Sequence, residues 1–453
     1  MRLEHTRAIV RLSWPILVAQ LAILANGVAD TVMTGHYGAA HLAAVGIGAG
    51  IWITVFVTLM GVIQGLSALI AHDYGAGETK AIGEHVRQGI WLALCLSVPG
   101  VVILSFPGAL LELVRVPAAI AQITTQYLRT IAWALPAAMA VRVFYAFSPA
   151  VGRPRPVMVI NVITLFIKIP LSYALLHGLY GLPELGGVGC AVGSVAMFWT
   201  MAVAALLLVL SDPFYRRFHL LRGSFRAHWP VVKRIMHIGV PIGVSQLVEV
   251  TSFTFMTLFL ARLGAQATAA HQVVANIAVV LFMVPLSLGI GTQVLIGQSL
   301  GRADPGHARE VALAGVRLAG GISVVLVALL LLLNRRLLAL YTNDPGVLAL
   351  AFTLLPLLAI YHLFDAMQGV AVNALRGYQQ TLVPTLIYVA SLWGIGLAGG
   401  WHLTYDGLHL SLIGVDFAPQ GVAGMWIAAV ASLVAAGAGL LFYLLRVSRW
   451  RLN

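Results

Sequence analysis

Twelve mostly apolar stretches follow one another down this chain, centred near residues 24, 56, 98, 134, 167, 200, 250, 282, 323, 360, 393 and 433. Each has the roughly 20 apolar residues that a helix needs to cross a bilayer, where the backbone must satisfy its own hydrogen bonds. Between them lie short separators rich in charge and turn residues, such as Tyr74-Gly75-Ala76-Gly77-Glu78, Gly152-Arg153-Pro154-Arg155-Pro156 and Gly301-Arg302-Ala303-Asp304-Pro305. These leave no room for a soluble domain. Only 9% of the 453 residues are charged, against about 25% in an average soluble chain. Too few charges remain to cover a water-facing surface, which excludes a soluble enzyme, a disordered scaffold and a secreted disulfide domain. Cys95 and Cys190 both stand in apolar context and offer neither a disulfide framework nor a zinc site.

A formal net charge of +12 would point to nucleic acid in a soluble protein. In a membrane chain it points instead to Lys and Arg gathered in cytoplasmic loops, and no nucleic-acid partner is expected. With the N-terminus placed inside, Arg115, Arg262, Arg335 and Arg336 fall outside, and Arg129, Arg142, Lys168 and Arg317 fall within or at the edges of spans. The remaining nineteen of the 27 basic residues, Arg376 among them, fall on the cytoplasmic side. This bias predicts a multi-pass protein of the cytoplasmic (inner) membrane with both termini in the cytoplasm.

Sliding the chain on itself by 226 residues brings Pro15 onto Pro241, Gln20 onto Gln246, Gly38-Ala39 onto Gly264-Ala265, Phe56 onto Phe282, Gly65 onto Gly291 and Gly75 onto Gly301. About a quarter of positions from Ile9 to Gly75 are identical without a gap. The first span, which follows Arg2, Arg7 and Arg11, therefore has an equivalent in mid-chain and is a structural helix, not a cleaved signal. At other offsets Pro136, Phe144 and Ala146 meet Pro356, Phe364 and Ala366, and Gly187-Val188 resembles Gly421-Val422. The expected fold is all-α and integral to the membrane. Twelve helices form two six-helix lobes, 1–210 and 238–453, joined by a cytoplasmic linker, 211–237. Six spans per repeat make the halves parallel, with a pseudo-two-fold axis along the membrane normal.

Of fifteen acids, three lie inside spans: Asp30, Glu249 and Asp365. Charge in hydrocarbon costs at least about 2.5–3.5 kcal/mol, so such residues are functional candidates. The alternatives are an ion pair with Arg142, Lys168 or Arg317, or a neutral carboxyl. At about 1.5 Å per residue, Glu249 stands roughly 18 Å along its helix from His237, Asp365 roughly 16 Å from Arg376, and Asp30 about 9 Å from His36. Glu249 and Asp365 are thus near mid-membrane in one half, and Asp30 lies towards the outer side of the other. The repeat sets Ile23 opposite Glu249, Met256 opposite Asp30 and Tyr145 opposite Asp365. Tyr361 shares a helix face with Asp365, Gln246 neighbours Glu249, and Gln272 shares a face with Asn276. Such oxygens can coordinate Na⁺, and the same acids can exchange protons near neutral pH; the residues do not separate the two. His271 and His362 read as packing histidines. Phe253, Met256 and Met283 are packing residues or line a cavity for flat apolar cations. No phosphate-binding loop with its lysine occurs, which excludes an ATP-driven pump within the chain, and no nucleophile triad is present.

Across nearly its whole length the chain resembles the multidrug and toxic compound extrusion (MATE) transporters, in their NorM-like branch. The resemblance rests on Val28-Ala29-Asp30-Thr31-Val32-Met33-Thr34-Gly35, on Pro241 with Gln246 and Glu249, and on Ala270-His271-Gln272 with Asn276. Tyr361 with Asp365 and the run Pro183-Glu184-Leu185-Gly186-Gly187-Val188-Gly189-Cys190 add to it. It implies a secondary exporter of organic cations such as drugs and dyes, with Na⁺ or H⁺ as the coupling ion and no other cofactor. It also implies a cation site at Glu249 and Asp365, which would be the Na⁺ ligands if sodium couples, and a required acid at Asp30. Membrane lipid is the surrounding partner, and no obligate protein partner is evident. One departure concerns span five, where Lys168-Ile169-Pro170-Leu171-Ser172 stands in place of Asn-Ile-Pro-Leu-Asn. A Lys168–Asp30 pair, broken on protonation, is expected in place of an N-lobe Na⁺ site. The alternative within transport is a flippase for lipid or lipid-linked oligosaccharide. A membrane-embedded enzyme would need paired metal-binding acids or a His-Asp site at a membrane face, and the deep acids here lie on three separate helices.

Overall fold

The structure, a computed structural model, describes residues 3–113, 116–220, 223, 226–410, 415–417 and 419–450. Arg2, Arg115, Arg222 and Arg451 of the charge count lie outside the described residues. Among the described residues there are sixteen α-helices: α1 (Leu3–Tyr37), α2 (Ala39–Gly75), α3 (Thr79–Ser105), α4 (Gly108–Leu113), α5 (Ala118–Ala132), α6 (Leu135–Ala150), α7 (Arg155–His177), α8 (Val188–Ser211), α9 (Pro213–Arg216), α10 (Trp229–Ala261), α11 (Ala265–Gly301), α12 (Pro305–Leu332), α13 (Asn334–Ala339), α14 (Pro345–Gly377), α15 (Leu382–Tyr388) and α16 (Gly421–Trp450). A three-residue antiparallel ribbon, β1 (Leu408–Leu410) and β2 (Val415–Phe417), precedes α16.

Among the described residues eleven helical segments are long and apolar enough to cross a membrane, and a twelfth is completed by α5 and α6 together, bent by 50°. All twelve expected centres fall on them. Their ends follow from the separators: Asp304 accepts from the His307 backbone N–H at 2.9 Å ahead of Pro305, and Asp344 does the same for Val347 ahead of Pro345. A short acceptor followed by Pro at the first helical position satisfies an orphan donor where Pro has none to lose.

The expected fourth span is broken at Trp133 and Ala134, where the N–H groups turn to carbonyls three residues back (Trp133 to Thr130, Ala134 to Ile131). Pro136 has no N–H for the next helical bond, and its ring crowds the preceding turn. Its repeat partner Pro356 lies inside the unbroken α14. The eleventh span starts as α15 and widens into π-helix over Val389–Gly399 and His402–Asp406. This is a rare geometry in which each carbonyl skips one residue further than in an α-helix.

Packing groups the chain into an N unit, Trp14–Gly243, and a C unit, Met1–Ser13 with Val244–Asn453. Each unit therefore takes the opening turns of the other half's first helix. In the N unit, α10 runs so close to α2 that a Cβ on Gly239 would lie 1.9 Å from the Val62 carbonyl oxygen, and one on Gly65 would lie 2.8 Å from the Gly239 nitrogen. The C unit repeats this crossing at the equivalent positions, where a Cβ on Gly291 of α11 would lie 2.4 Å from Ser13 Oγ of α1. Ile235 and Ile9, also equivalent, are both fully buried.

Part of the linker is tightly anchored. Tyr215 and Phe218 are fully buried in the N unit's core, and the Tyr215 hydroxyl lies 2.7 Å from Ser148 Oγ. Burial pushes the Tyr215 pKa up, so the hydroxyl stays neutral. Arg153 pairs with Asp212 at 2.6 Å and covers the Phe214 ring. Charge alone marks this segment in the sequence; its aromatic anchors do not declare themselves.

Candidate functional site

In the C unit, α10 carries Gln246, Glu249, Phe253 and Met256 at steps of three and four, which puts them on one face. The same spacing on α14 aligns Tyr361, Asp365 and Gln368, all buried. Gln368 donates its Nε2–H to Asp365 Oδ1 at 2.9 Å, and the Tyr388 hydroxyl of α15 donates to Gln368 Oε1. This chain fixes the amide: its carbonyl is taken by Tyr388, so its N–H points to the carboxylate. Glu249 is half-buried and has no hydrogen-bond partner among the described residues. It lies within electrostatic range of Arg376, Tyr361, Tyr388 and Asp365. Arg376 is itself buried and donates to Asn373 at 3.3 Å.

Tyr361 meets Trp426 edge-on with ring centroids 5.6 Å apart, and Phe253 at 6.4 Å. Met256 is buried in the same apolar cluster. His271 packs beside Trp426 and bonds Thr257 at 3.1 Å; His362 is buried, and neither of its ring nitrogens has a partner among the described residues. Gln272 and Asn276 stand together on an exposed face of α11, where Asn276 donates to the Gln272 backbone, and they do not join the carboxylates. Met283 is half-buried on α11, and the buried Gln246 Oε1 has no partner among the described residues. Among the described residues no three His, Cys, Asp or Glu side chains converge. A Na⁺ ion at Glu249 and Asp365 would therefore complete its shell with hydroxyl and amide oxygens, of which Tyr361, Tyr388 and Gln246 are at hand.

The N unit handles its acid differently. Lys168 of α7 is 1% exposed, and its ammonium is bonded to Asp30 Oδ1 of α1 and to the Asn26 carbonyl oxygen at 3.4 Å. Cys190 and Tyr127 border Asp30. α7 and α8 pack closely enough here that a Cβ on Gly193 would strike Ser172 Oγ at 2.1 Å.

Gln368, Tyr388 and Arg376 were not among the residues singled out from sequence. Gln368 carried a readable signal, three residues beyond Asp365 on its face. Arg376, which the charge sorting places on the cytoplasmic side, is buried and lies within electrostatic range of Glu249. Tyr388 comes from a different helix, and no spacing announces it.

The MatE family profile matches the chain twice, over residues 15–174 and 241–401, starting at the offset that aligns Pro15 with Pro241. A "Probable multidrug resistance protein NorM" of Aromatoleum aromaticum is 42% identical over 441 residues, 96% of this chain and 92% of that one. The "Multidrug resistance protein PmpM" of Pseudomonas aeruginosa is 34% identical over 447 residues, covering 98% and 92%. In backbone the chain is similar to the crystal structure of the eukaryotic MATE transporter AtDTX14, with TM-score 0.88 over 99% of this chain and 98% of that one at 18% identity. That last likeness concerns the fold alone.

Proposed function

The chain belongs to the MatE family of membrane transporters, and from that premise we propose that it is a secondary active multidrug exporter. It moves drug-like organic cations and dyes outward against an inward flow of Na⁺ or H⁺, by alternating access. The observation that carries this reading is that Glu249 and Asp365, on separate membrane helices, lie within electrostatic range of each other, with mostly neutral hydroxyl and amide groups around them. Two carboxylates against one arginine leave a net negative charge that an inorganic cation, a proton or an organic cation can each neutralise. Antiport requires that they do so in different states of the protein, because a ligand shifts an equilibrium only by its differential affinity. Asp365 is held by Gln368, while Glu249, without a hydrogen-bond partner among the described residues, is the group that takes up and releases the coupling cation.

On this reading Lys168 serves the N-terminal lobe as a tethered cation, so Asp30 binds no Na⁺ and the pair opens when Asp30 is protonated. The moving bodies are the lobes 1–210 and 238–453 with 211–237 between them, in an inner membrane with both termini in the cytoplasm. The distribution of Lys and Arg supports that orientation.

The test is ethidium efflux from proteoliposomes under an imposed Na⁺ gradient and, separately, an imposed pH gradient. Wild-type protein is expected to respond to one gradient, and Glu249→Gln and Asp365→Asn to neither. Folded wild-type protein that moves no ethidium under either gradient but carries labelled lipid between leaflets would replace this reading with the flippase.

A further inference from the structure

Where α8 runs into the linker, the N unit carries a cavity of about 500 Å³, a volume typical of small-molecule sites. Its walls are of two kinds. Val209 and Leu210 close one side, and Arg216, Arg217 and His219 line the other. The apolar wall continues along the helix. Leu210, Leu207, Leu206, Val203 and Trp199 are all exposed and repeat at helical spacing, so they form one stripe. On a membrane helix such a stripe faces lipid. From Leu210 to Trp199 it runs about 16 Å, close to the depth of one leaflet in a hydrocarbon core of about 30 Å.

The polar wall is fixed in place. Tyr215 and Phe218, on either side of the two arginines in sequence, are fully buried. A Cβ on Gly83 of α3 would lie 2.2 Å from the Phe218 carbonyl oxygen, so this backbone is pressed against α3. The Arg217 guanidinium lies 3.9 Å from the Phe214 ring centroid, 4.8 Å from that of Phe218 and 5.6 Å from that of Tyr74. It donates to the Tyr74 hydroxyl at 3.3 Å, and Arg216 donates its Nε–H to the Leu210 carbonyl oxygen at 2.7 Å. Neither arginine has a carboxylate within salt-bridge distance among the described residues. Asp212, the acid beside them in sequence, is taken by Arg153 and by the Phe214 backbone N–H. Each guanidinium carries five N–H donors, so most of them are left for an acceptor from outside. Two held positive charges at the end of a lipid-facing stripe match a phosphate that is carried on acyl chains.

We propose that this cavity binds an acidic phospholipid, with its phosphodiester on Arg216 and Arg217 and its acyl chains along the α8 stripe from Leu210 to Trp199. The site lies apart from Glu249 and Asp365 and does not depend on what the protein exports. A free phosphate would satisfy the arginines and leave the stripe unused. Delipidated protein in detergent is titrated with phosphatidylglycerol, phosphatidylcholine and glycerol 3-phosphate, and bound lipid is counted by native mass spectrometry. Wild-type protein is expected to hold one phosphatidylglycerol about tenfold or more tightly than phosphatidylcholine, and millimolar glycerol 3-phosphate should not displace it. Arg216→Gln/Arg217→Gln should abolish that preference. Lys233→Gln/Arg234→Gln removes the same charge from an exposed part of α10 and should keep it. Equal loss in the two double variants would reduce the effect to surface charge and overturn the site. Displacement by glycerol 3-phosphate would overturn it in favour of a phosphate site, and equal affinity for the two lipids would overturn it outright. If the arginine variant does not fold, wild-type protein with a photoactivatable phosphatidylglycerol decides the matter. Crosslinks read by peptide mass should concentrate on residues 199–220, and labelling spread evenly over the helices would overturn the site.

Discussion

In the N unit the deep carboxylate of Asp30 is neutralised by a lysine buried against it, whereas in the C unit Glu249 and Asp365 meet a tyrosine–glutamine chain, a second tyrosine and one arginine. The backbone frame beneath these two arrangements is shared. The crossing of Gly65 with Gly239 recurs as that of Gly291 with Ser13, at positions the repeat makes equivalent. The duplicated chain thus keeps a close helix crossing in both halves, although in one of them Ser13 stands where the other has Gly239 and puts a side chain into the contact. The polar side chains that face inward are left to diverge. One half has arrived at an internal ion pair and the other at an excess of negative charge.

The sharpest way to break this contrast is to remove one member of each arrangement. Lys168→Leu strands Asp30 in a buried site, and losing one partner of a buried pair costs on the order of 3–5 kcal/mol. A marked drop in melting temperature is expected, with most of it recovered in Asp30→Asn/Lys168→Leu. Asp365→Asn keeps shape and still accepts from Gln368, so its stability should shift by about 1 kcal/mol or less while gradient-driven efflux is lost. Equal melting of Lys168→Leu and wild-type protein would show that the lysine is not a structural counter-ion. Lys168→Asn gives the functional counterpart. If the pair opens on protonation, the pH profile of transport must move, and an unchanged profile would refute that coupling.

The shared frame can be tested at its crossing. In Gly239→Ala the new methyl meets the Val62 carbonyl oxygen, a backbone atom that moves only if α2 and α10 separate, at a cost of about 1–3 kcal/mol for overpacking. In Gly291→Ala the methyl meets Ser13 Oγ, which can rotate away, and the next atom, the Ile9 carbonyl oxygen, lies 3.3 Å off. The first substitution should lower the melting temperature clearly more than the second. Equal effects would mean that the two crossings are equally tight and that the Ser13 side chain cannot give way.

The frame was largely legible in the chain because membrane spans are written in hydrophobicity, and the repeat in Pro and Gly positions. The departure of Lys168 was legible because its target, Asp30, was itself conspicuous. What remained hidden depended on tertiary contact. Pro136 gave no sign that its span breaks at Trp133 while Pro356 sits within a continuous α14, since the neighbouring helices decide whether a proline breaks or only strains its helix. The π-helical stretch from Val389 arises in a segment whose composition reads as an ordinary span. Tyr388 reaches Gln368 from another helix, and the burial of Arg376 left no mark because counting by sequence position cannot distinguish a buried helix end from a wetted one.

The smallest effect lies in the turn after each half's second helix, where Gly77 and Ala303 occupy equivalent positions and both adopt left-handed backbone, φ 78° and 57°. For glycine this conformation costs nothing sterically, whereas an alanine Cβ crowds the following carbonyl by roughly 1–2 kcal/mol. A Cβ on Gly77 would meet no atom within 4 Å, so Gly77→Ala isolates that conformational term, reduced by about 0.4–1 kcal/mol because alanine also loses less freedom on folding. The expected result is a loss of up to about 1 kcal/mol, with a gain of the same size for Ala303→Gly. Paired melting curves of the two variants check this, and the comparison is demanding because the shifts must be opposite in sign. If both substitutions destabilise, side-chain packing rather than backbone conformation governs the second turn, and the equivalence of the two halves ends before residue 303.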